Sequence, residues 1–273
     1  MKRKASWLTG LALVFGLAAQ AQAQFLPDEI AQFPKWEEFL RTATVVAEKQ
    51  LSGAEAVTNP WVLTLKLDDL THRGLWKNVQ GRPNGYLEGW RYEIAAYRMD
   101  RLLGIDMVPP TVERRFRGDL GSCQYWTDDT ISLREKEERK VETPPAKVVN
   151  WNRATYLQRF FDNLIANEDR NMGDILITKD WRMILIDHSR TFRTWKKLIF
   201  TAKNPEGPKL MSSLPRAVVE KAKALTFEGI RAAVGNDLTD EEIRTMLLRR
   251  DLILREIDTL IKLNGESNTL YEN

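Results

Sequence analysis

The chain has 273 residues, of which 43% are apolar, and a formal net charge of +3. A chain of this length can bury one large core or two closely joined lobes, which excludes three independent domains. Its single cysteine, Cys123, excludes an internal disulfide, and two histidines without a Cys/His cluster leave little from which to build a zinc enzyme or a histidine-dependent hydrolase. Nothing in the charge indicates nucleic-acid binding.

The first 23 residues differ in character from the rest. A basic start over residues 2–4 precedes an apolar run over residues 7–19 and an Ala-Gln-Ala triplet at 21–23. This pattern is typical of a secretory signal peptide, here cleaved before Gln24, and the apolar run is shorter than the roughly 20 residues that span a bilayer. We therefore expect an exported protein, periplasmic or secreted, with no stable membrane span after cleavage; the alternative is an uncleaved anchor. Without its three basic residues at the start, the chain has 38 basic and 38 acidic residues.

The first half of the remaining chain is predicted to form a small lobe of strands around one helix. Residues 24–58 read as a polar, N-terminal helical extension, and residues 59–130 as the lobe itself. Within the lobe, extended β-rich segments surround one stretch with near-helical spacing that stops at Gly104. The predicted strands cover residues 61–67, 73–79, 111–116 and 122–127, and the predicted helix covers residues 88–103.

The second half is predicted to form a larger, mainly helical lobe over residues 150–265. Residues 131–149 before it are dense in charge and lack an apolar face, which favours a linker or insert between the lobes. A helix over residues 150–167 is followed by a short hairpin and then by further helices, and residues 266–273 form a tail. The hairpin strands cover residues 175–178 and 183–186, and the later helix signals are Pro215, the cap Thr226, the stop Gly235 and a capping box at 239–242 before a helix to Leu263.

Three aspartates surround the helix end and the hairpin of this second lobe. Asp169 follows the helix, Asp174 enters the first hairpin strand, and Asp187 ends the returning strand, so the hairpin can bring all three together. Carboxylate oxygens are the ligands that Mg²⁺ or Mn²⁺ prefers, and such ions neutralise a polyphosphate. Each aspartate alone could be only a turn residue, but their joint spacing favours a metal site.

The spacing of these residues resembles that of kinases, in which the catalytic aspartate and a metal-binding residue are five positions apart and a second metal-binding aspartate follows a hairpin. The segments Asp-Arg-Asn-x-x-x-Ile-Leu from Asp169 and Ile-Asp-x-x-x-x-Phe from Ile186 resemble the atypical kinases of the lipid-kinase-like branch. That branch includes phosphoinositide 3-/4-kinases, secretory-pathway Golgi casein kinases and bacterial HipA-type kinases. The resemblance covers roughly residues 60–260 and implies an α+β, bilobal protein-kinase-like fold, with a small β-rich N-lobe carrying one helix and a larger, mainly helical C-lobe.

The resemblance also implies roles for particular residues. Asp169 would orient or deprotonate the acceptor hydroxyl, while Asp174, in place of the usual asparagine, and Asp187 would bind the metal. Lys77 resembles the strand-borne lysine that contacts nucleotide phosphates, and Glu93, sixteen residues later, resembles its ion-pair partner.

By the same resemblance, residues of the first lobe would complete the nucleotide-binding site. Gln124 and Trp126 would supply the strand and hinge on which the base rests, and Lys66 is a rival for the role of Lys77. Residues 67–74 stand where the resemblance implies a phosphate-covering loop, which would be poor in glycine, and the sequence has no Walker motif and no G-x-G-x-x-G.

The function predicted from these residues is transfer of a phosphoryl group from ATP, or another nucleoside triphosphate, to a hydroxyl on a protein, lipid or small molecule, with Mg²⁺ or Mn²⁺ as cofactor. Two alternatives stay open. One is a pseudokinase, a nucleotide-binding scaffold module, and the other is nucleotidyl transfer on the same fold. A helical extracellular protein with chance motif matches would not bring Lys77, Glu93 and the three aspartates to one cleft.

Overall fold

The computed structural model describes residues 24–52, 58–83, 85–199 and 212–272. The predicted signal peptide at residues 1–23 lies outside these ranges. Among the described helices, none has both the length and the apolar character needed to cross a membrane.

The N-terminal part is rich in sheet. Five antiparallel strands pair in the order β1-β2-β3-β7-β6, so that β3 lies at the centre of the sheet. Leu63, Leu65 and Trp76 on one face form a small core with Phe39 and Leu40 of α2. The elements are α1 (Pro27–Ala31), α2 (Phe33–Thr42), β1 (Thr44–Gln50), β2 (Trp61–Leu67), β3 (Leu70–Lys77), β4 (Gln80–Gly81), β5 (Glu88–Gly89), α3 (Trp90–Leu103), β6 (Thr111–Phe116) and β7 (Asp119–Tyr125).

The C-terminal part is mainly helical and contains a three-stranded sheet in the order β10-β9-β8. Its longest helix begins at a capping box between Thr239 and Glu242, as predicted, and the helix before it is capped by Thr226. The elements are β8 (Thr130–Ser132), α4 (Leu133–Glu138), a 3₁₀ turn (Pro145–Lys147), α5 (Val148–Ile165), β9 (Ile175–Thr178), β10 (Met183–Leu185), β11 (Leu214–Pro215), α6 (Arg216–Lys223), α7 (Phe227–Val234), a 3₁₀ turn (Gly235–Asp237), α8 (Asp240–Asn264), α9 (Glu266–Thr269) and β12 (Leu270–Tyr271).

Helix α3 contacts strands β6 and β7 of the sheet and belongs to the apolar core of the C-terminal part. Its buried residues Ala96, Met99 and Leu103 share one apolar cluster with the helices of the C-terminal part. Polar contacts add to this packing: Arg98 Nη1 lies 2.8 Å from Asp237 Oδ2, and the hydroxyl of Tyr92 donates to Glu242 Oε1 at 2.6 Å. The helix that carries Glu93 is therefore fixed to the helical lobe as well as to the sheet.

One prediction about secondary structure was wrong, and two segments for which no element was predicted contain one. Residues 44–50, assigned to a helical extension, form the edge strand β1, whose first three residues are β-branched; Thr44 and Val45 pair with β2, and Val46 lies at a shift in register. The charged segment after residue 131 contains α4, which a capping box between Ser132 and Glu135 stabilises. Residues assigned to a tail form α9 and β12, and β12 pairs with β11.

Within residues 59–130 the sheet carries the one predicted helix, α3, and a second helix packs on it from the segment predicted as a helical extension. Helix α2 packs on the sheet beside α3, through Phe39 and Leu40, and belongs to the same core as the strands. The mixed architecture itself, a sheet-rich N-terminal part followed by a helical C-terminal part, is the predicted one.

Candidate active site

An ion-paired lysine joins the sheet, helix α3 and the segment after β10. Lys77 ends β3, and its Nζ lies 2.7 Å from Glu93 Oε1 and 2.8 Å from Asp187 Oδ1. Burial acts to lower the pKa of Lys77, but the carboxylates of Asp187 and Glu93 outweigh burial and raise that pKa. In Glu93, burial acts to raise the pKa and the charge of Lys77 lowers it, with a lowered pKa as the result. Both side chains of the Lys77–Glu93 pair are thus charged at neutral pH.

The local chain is shaped to hold this pair. Gly121 lies on β7 beside Lys77, and a Cβ atom there would clash with the Lys77 carbonyl oxygen and the Trp76 ring. Asp187 has a positive φ of 57°, which turns the chain directly after the hairpin and points its carboxylate toward the lysine. The glycine permits the close approach of two strands at the position where the lysine must enter the cleft.

Asp174 is the second carboxylate of the cleft and precedes β9. It is 9% exposed, and its Oδ2 accepts hydrogen bonds from the backbone N of Asn171 at 3.1 Å and from Asn171 Nδ2 at 2.6 Å. Burial and the charge of Asp187 raise the pKa of Asp174 to about 7. Asn171 therefore positions Asp174, while its Oδ1 accepts from Gly173 N in an Asx turn.

This raised pKa predicts a pH dependence of metal binding. A protonated carboxyl is a poor ligand for Mn²⁺, so we expect metal-dependent nucleotide binding to weaken as the pH falls through about 7, where Asp174 takes up a proton. In the protein without metal the sign is opposite: a pKa raised by folding favours the folded state at low pH, and this contribution is lost as the pH rises through about 7. Titration with Mn²⁺ and nucleotide at pH 6, 7 and 8 measures the effect. Asp174→Asn should remove the pH dependence, and a dependence unchanged in that variant would contradict the assignment.

Asp169 lies at the open side of the same cleft. Its side chain is 53% exposed, and its Oδ2 lies 3.1 Å from Arg190 Nη1. Arg190 also donates to the buried Glu88 at 2.7 Å, so one guanidinium holds two carboxylates. Burial raises the pKa of Asp169 and the charge of Arg190 opposes this rise. Sequence reasoning missed the role of Glu88, and only its position before α3 distinguishes it from other acidic residues.

A buried arginine ties the loop around Asp169 and Asp174 together. The guanidinium of Arg170 makes two 3.1 Å contacts to Asp162 and donates to the carbonyl oxygens of Ile186 at 2.6 Å and Asp174 at 3.2 Å. Its Nη2 lies 2.9 Å from His188 Nε2. Because a guanidinium has only donors, His188 Nε2 accepts and the ring is neutral, in keeping with the lowered pKa that burial gives it.

Sequence reasoning missed this network as well. The signal available was Asp162, a carboxylate on the inner side of the apolar helix α5, where it is fully buried. Buried charges are paired, so a partner was to be expected. Nothing in the sequence identified that partner as Arg170.

The predicted site residues line two adjoining cavities. The larger, about 560 Å³, is lined by Lys77, Asp169, Asp174 and Asp187, with Leu51, Thr58 and Pro60 on the side of the β1–β2 connection. The smaller, about 340 Å³, is lined by Gln124 and Trp126 and by apolar side chains of both lobes: Leu75, Leu176 and Ile186. Trp126, Leu75 and Ile186 line both. Glu93 lies behind Lys77 and lines neither cavity.

The predicted phosphate-covering loop was assigned to the wrong turn. Leu51, Thr58 and Pro60, which lie between β1 and β2, line the cleft, whereas Asp68 and Asp69, in the turn between β2 and β3, do not. The error arose because strand β1 was not predicted, so the hairpin of β2 and β3 was taken for the first strand pair of the sheet. Lys66, the rival for the role of Lys77, is exposed on β2 and does not line the cleft.

The carboxylates fit a divalent cation that is shared with a substrate. Within the described ranges, no group of three His, Cys, Asp or Glu side chains forms a complete metal cage. Asp174 and Asp187 instead form a pair close enough for the charge of one to raise the pKa of the other. Mg²⁺ commonly binds through one or two carboxylates together with substrate phosphates and water, and this pair suits that mode.

The comparisons with known proteins agree with this architecture. No family model and no curated protein matches the sequence. Solved structures do match: a hydra Fam20 determined with sugar has a TM-score of 0.68 at 13% identity and covers 92% of this chain and 95% of its own. The Golgi casein kinase with Mn/ADP bound has a TM-score of 0.64 at 16% identity, with 89% and 80% covered.

A third match is the Helicobacter pylori proinflammatory kinase CtkA, with a TM-score of 0.52 at 11% identity, covering 82% of this chain and 98% of its own. Likeness at such low identity carries information about the fold alone. Together with the sheet-rich and helical parts described above, it shows that the chain has the bilobal fold of an atypical protein kinase.

Proposed function

We propose that this protein is a metal-dependent phosphotransferase that moves a phosphoryl group from ATP, or another nucleoside triphosphate, to a hydroxyl. The observation that carries the proposal is the Lys77–Glu93–Asp187 arrangement at 2.7 and 2.8 Å, inside a cleft that Asp174 and Asp169 also line. In kinases, a lysine–glutamate pair and a metal-binding aspartate must be in place together for phosphoryl transfer.

Each residue has a distinct part in this proposal. The base would enter the smaller cavity beside Gln124 and Trp126, and Lys77 would bind phosphate oxygens with its charge kept by Glu93. Asp174 and Asp187 would hold Mg²⁺ or Mn²⁺, which supplies neutralisation of the phosphate charge. Asp169, half-exposed at the mouth of the cleft, would orient the acceptor hydroxyl and accept its proton.

The class of acceptor is proposed from the side chains around Asp169 and from the solved structures that resemble this chain. A hydroxyl acceptor suits a site in which the carboxylate of Asp169, beside the cation of Arg190, can accept the proton that the attacking oxygen releases. The structural neighbours include a Fam20 determined with sugar and a Golgi casein kinase, so sugars and casein are the acceptors to test first. The pattern of residues 1–23 supports export, and we place the activity outside the cytoplasm.

The experiment uses the chain from Gln24 and follows its thermal midpoint with ATP and Mn²⁺ or Mg²⁺. A ligand that binds only the folded state raises the midpoint, and the rise should need metal and be lost in Asp187→Ala. No rise with any nucleotide and metal would contradict the proposal.

Labelled ATP then separates the alternatives. Transfer of label from the γ-phosphate to an acceptor, lost in Asp169→Asn while nucleotide binding stays, is the expected result. Transfer of label from the α-phosphate would indicate a nucleotidyl transferase instead. Binding without transfer to sugars or casein would favour a pseudokinase.

A further inference from the structure

The smaller cavity contains one buried amide, that of Gln124. This residue lies near the end of β7, where it pairs with Leu75 on β3 and with Thr111 on β6, and it is 6% exposed. The cavity is also lined by the apolar side chains of Leu75, Leu176 and Ile186, and by polar residues of the segment from Thr127 to Glu135. Apolar walls give a planar base affinity without distinguishing one base from another, so discrimination depends on the polar groups.

The orientation of the Gln124 amide follows from its neighbours. The Thr111 hydroxyl donates its only proton to the Pro109 carbonyl oxygen at 2.9 Å. Thr111 Oγ1 can therefore only accept from Gln124, and the contacting atom at 3.0 Å must be the Nε2 donor. The Oε1 oxygen is then on the other side of the amide, and the one side-chain hydrogen bond of Gln124 within the described part of the chain is that of Nε2 to Thr111.

Inverting the amide would be costly. If the Thr111 hydroxyl turned to donate to Gln124 Oε1, the buried Pro109 carbonyl would lose its hydrogen bond, and the described ranges contain no other donor to it. An unsatisfied buried acceptor is strongly disfavoured. The chain from Pro109 through Thr111 thus locks an acceptor into the cavity.

We propose that Gln124 makes the site selective for bases that carry an exocyclic amino group, such as adenine, over bases with an oxo group at that position. This inference rests on the proposed function, since it concerns the nucleotide that the kinase-like cleft binds. An amino group can donate to Gln124 Oε1, whereas an oxo group would place two acceptors face to face and leave both without a proton. A site built to form a hydrogen bond discriminates against an analogue that lacks the donor.

The test compares ATP with ITP, in which an oxygen replaces the amino group of adenine. Calorimetric titration of the chain from Gln24, with Mn²⁺ present, should give a Kd for ATP at least about tenfold below that for ITP. In Thr111→Val the amide loses its partner and can rotate, so the ratio should fall to within about threefold, chiefly through tighter ITP binding. Gln124→Met should lose the preference through weaker ATP binding.

Thr71→Val is the matched control, because Thr71 is an exposed threonine of the same sheet and does not line the cavity. It should keep the wild-type ratio. Equal affinity of the wild type for ATP and ITP, or an unchanged ratio in Thr111→Val, would overturn the role of Gln124 and leave the proposed function standing. Absence of binding of both nucleotides would overturn both.

Discussion

Lys77→Met is expected to lower the rate of phosphoryl transfer by at least about 100-fold, the usual effect of removing one preorganised charge from a transition state. In the described structure, the ammonium group of Lys77 pairs with both Glu93 and Asp187, at 2.7 and 2.8 Å. Methionine is similar to lysine in length but carries no charge. Glu93 would then be left as a buried carboxylate without its cation. The measurement is the initial rate of label transfer from γ-labelled ATP, with nucleotide Kd determined in parallel.

Lys66→Met is the matched control for this variant. Lys66 stands on the neighbouring strand β2, is exposed, and lies outside both cavities. Its replacement should leave the rate within about twofold, as for a surface side chain away from the site. Equal losses in the two variants would mean that Lys77 has no special role, and the proposed phosphate contact would be abandoned.

Asp162→Ala is expected to lower the free energy of unfolding by about 3–5 kcal/mol, because it leaves Arg170 as an uncompensated buried charge. Asp162 is fully buried and makes two contacts of 3.1 Å to that guanidinium. Adding Arg170→Met to the variant should recover part of the loss, since the unpaired charge is removed as well. Equilibrium unfolding in denaturant measures all three proteins.

The matched control here is Asp258→Ala, at an exposed aspartate of α8. It should change the free energy of unfolding by less than about 0.5 kcal/mol. If Asp162→Ala were no more harmful than Asp258→Ala, the buried pair would not hold the loop, and the positions of Asp169 and Asp174 would need another explanation.

Local patterns were enough to predict several elements, whereas the fold class was predicted from the resemblance of the aspartate segments to atypical kinases. The alternation of residues 61–67, the helix before Gly104 and the capping box at Thr239 each lie within a short stretch, and each is present in the structure. Strand β1 was missed because its partner β2 lies across a connection, and its charged residues Glu48 and Lys49 suit an exposed edge as well as a helix. Strand pairing is a tertiary fact that single segments do not contain.

The candidate site divides in the same way. Asp169, Asp174 and Asp187 were identifiable because their spacing is local to one loop and one hairpin, and their roles stay predictions. Two other sets of contacts were not identifiable: Arg170 contacts Asp162 and His188, and Arg190 contacts Glu88. In the sequence, these charged residues look no different from charged residues on the surface. No spacing rule identifies such partners, since geometry alone decides which charges meet.

The double attachment of helix α3 has a consequence for control. Many switches work by swinging a helix so that its carboxylate leaves the lysine. Here α3 is bonded to Asp237 and Glu242 through Arg98 and Tyr92, and its buried face is packed into the helical lobe. A swing of α3 away from Lys77 would therefore have to break the Arg98–Asp237 and Tyr92–Glu242 contacts and expose part of the shared apolar cluster, so movement of this helix alone would carry a free-energy cost.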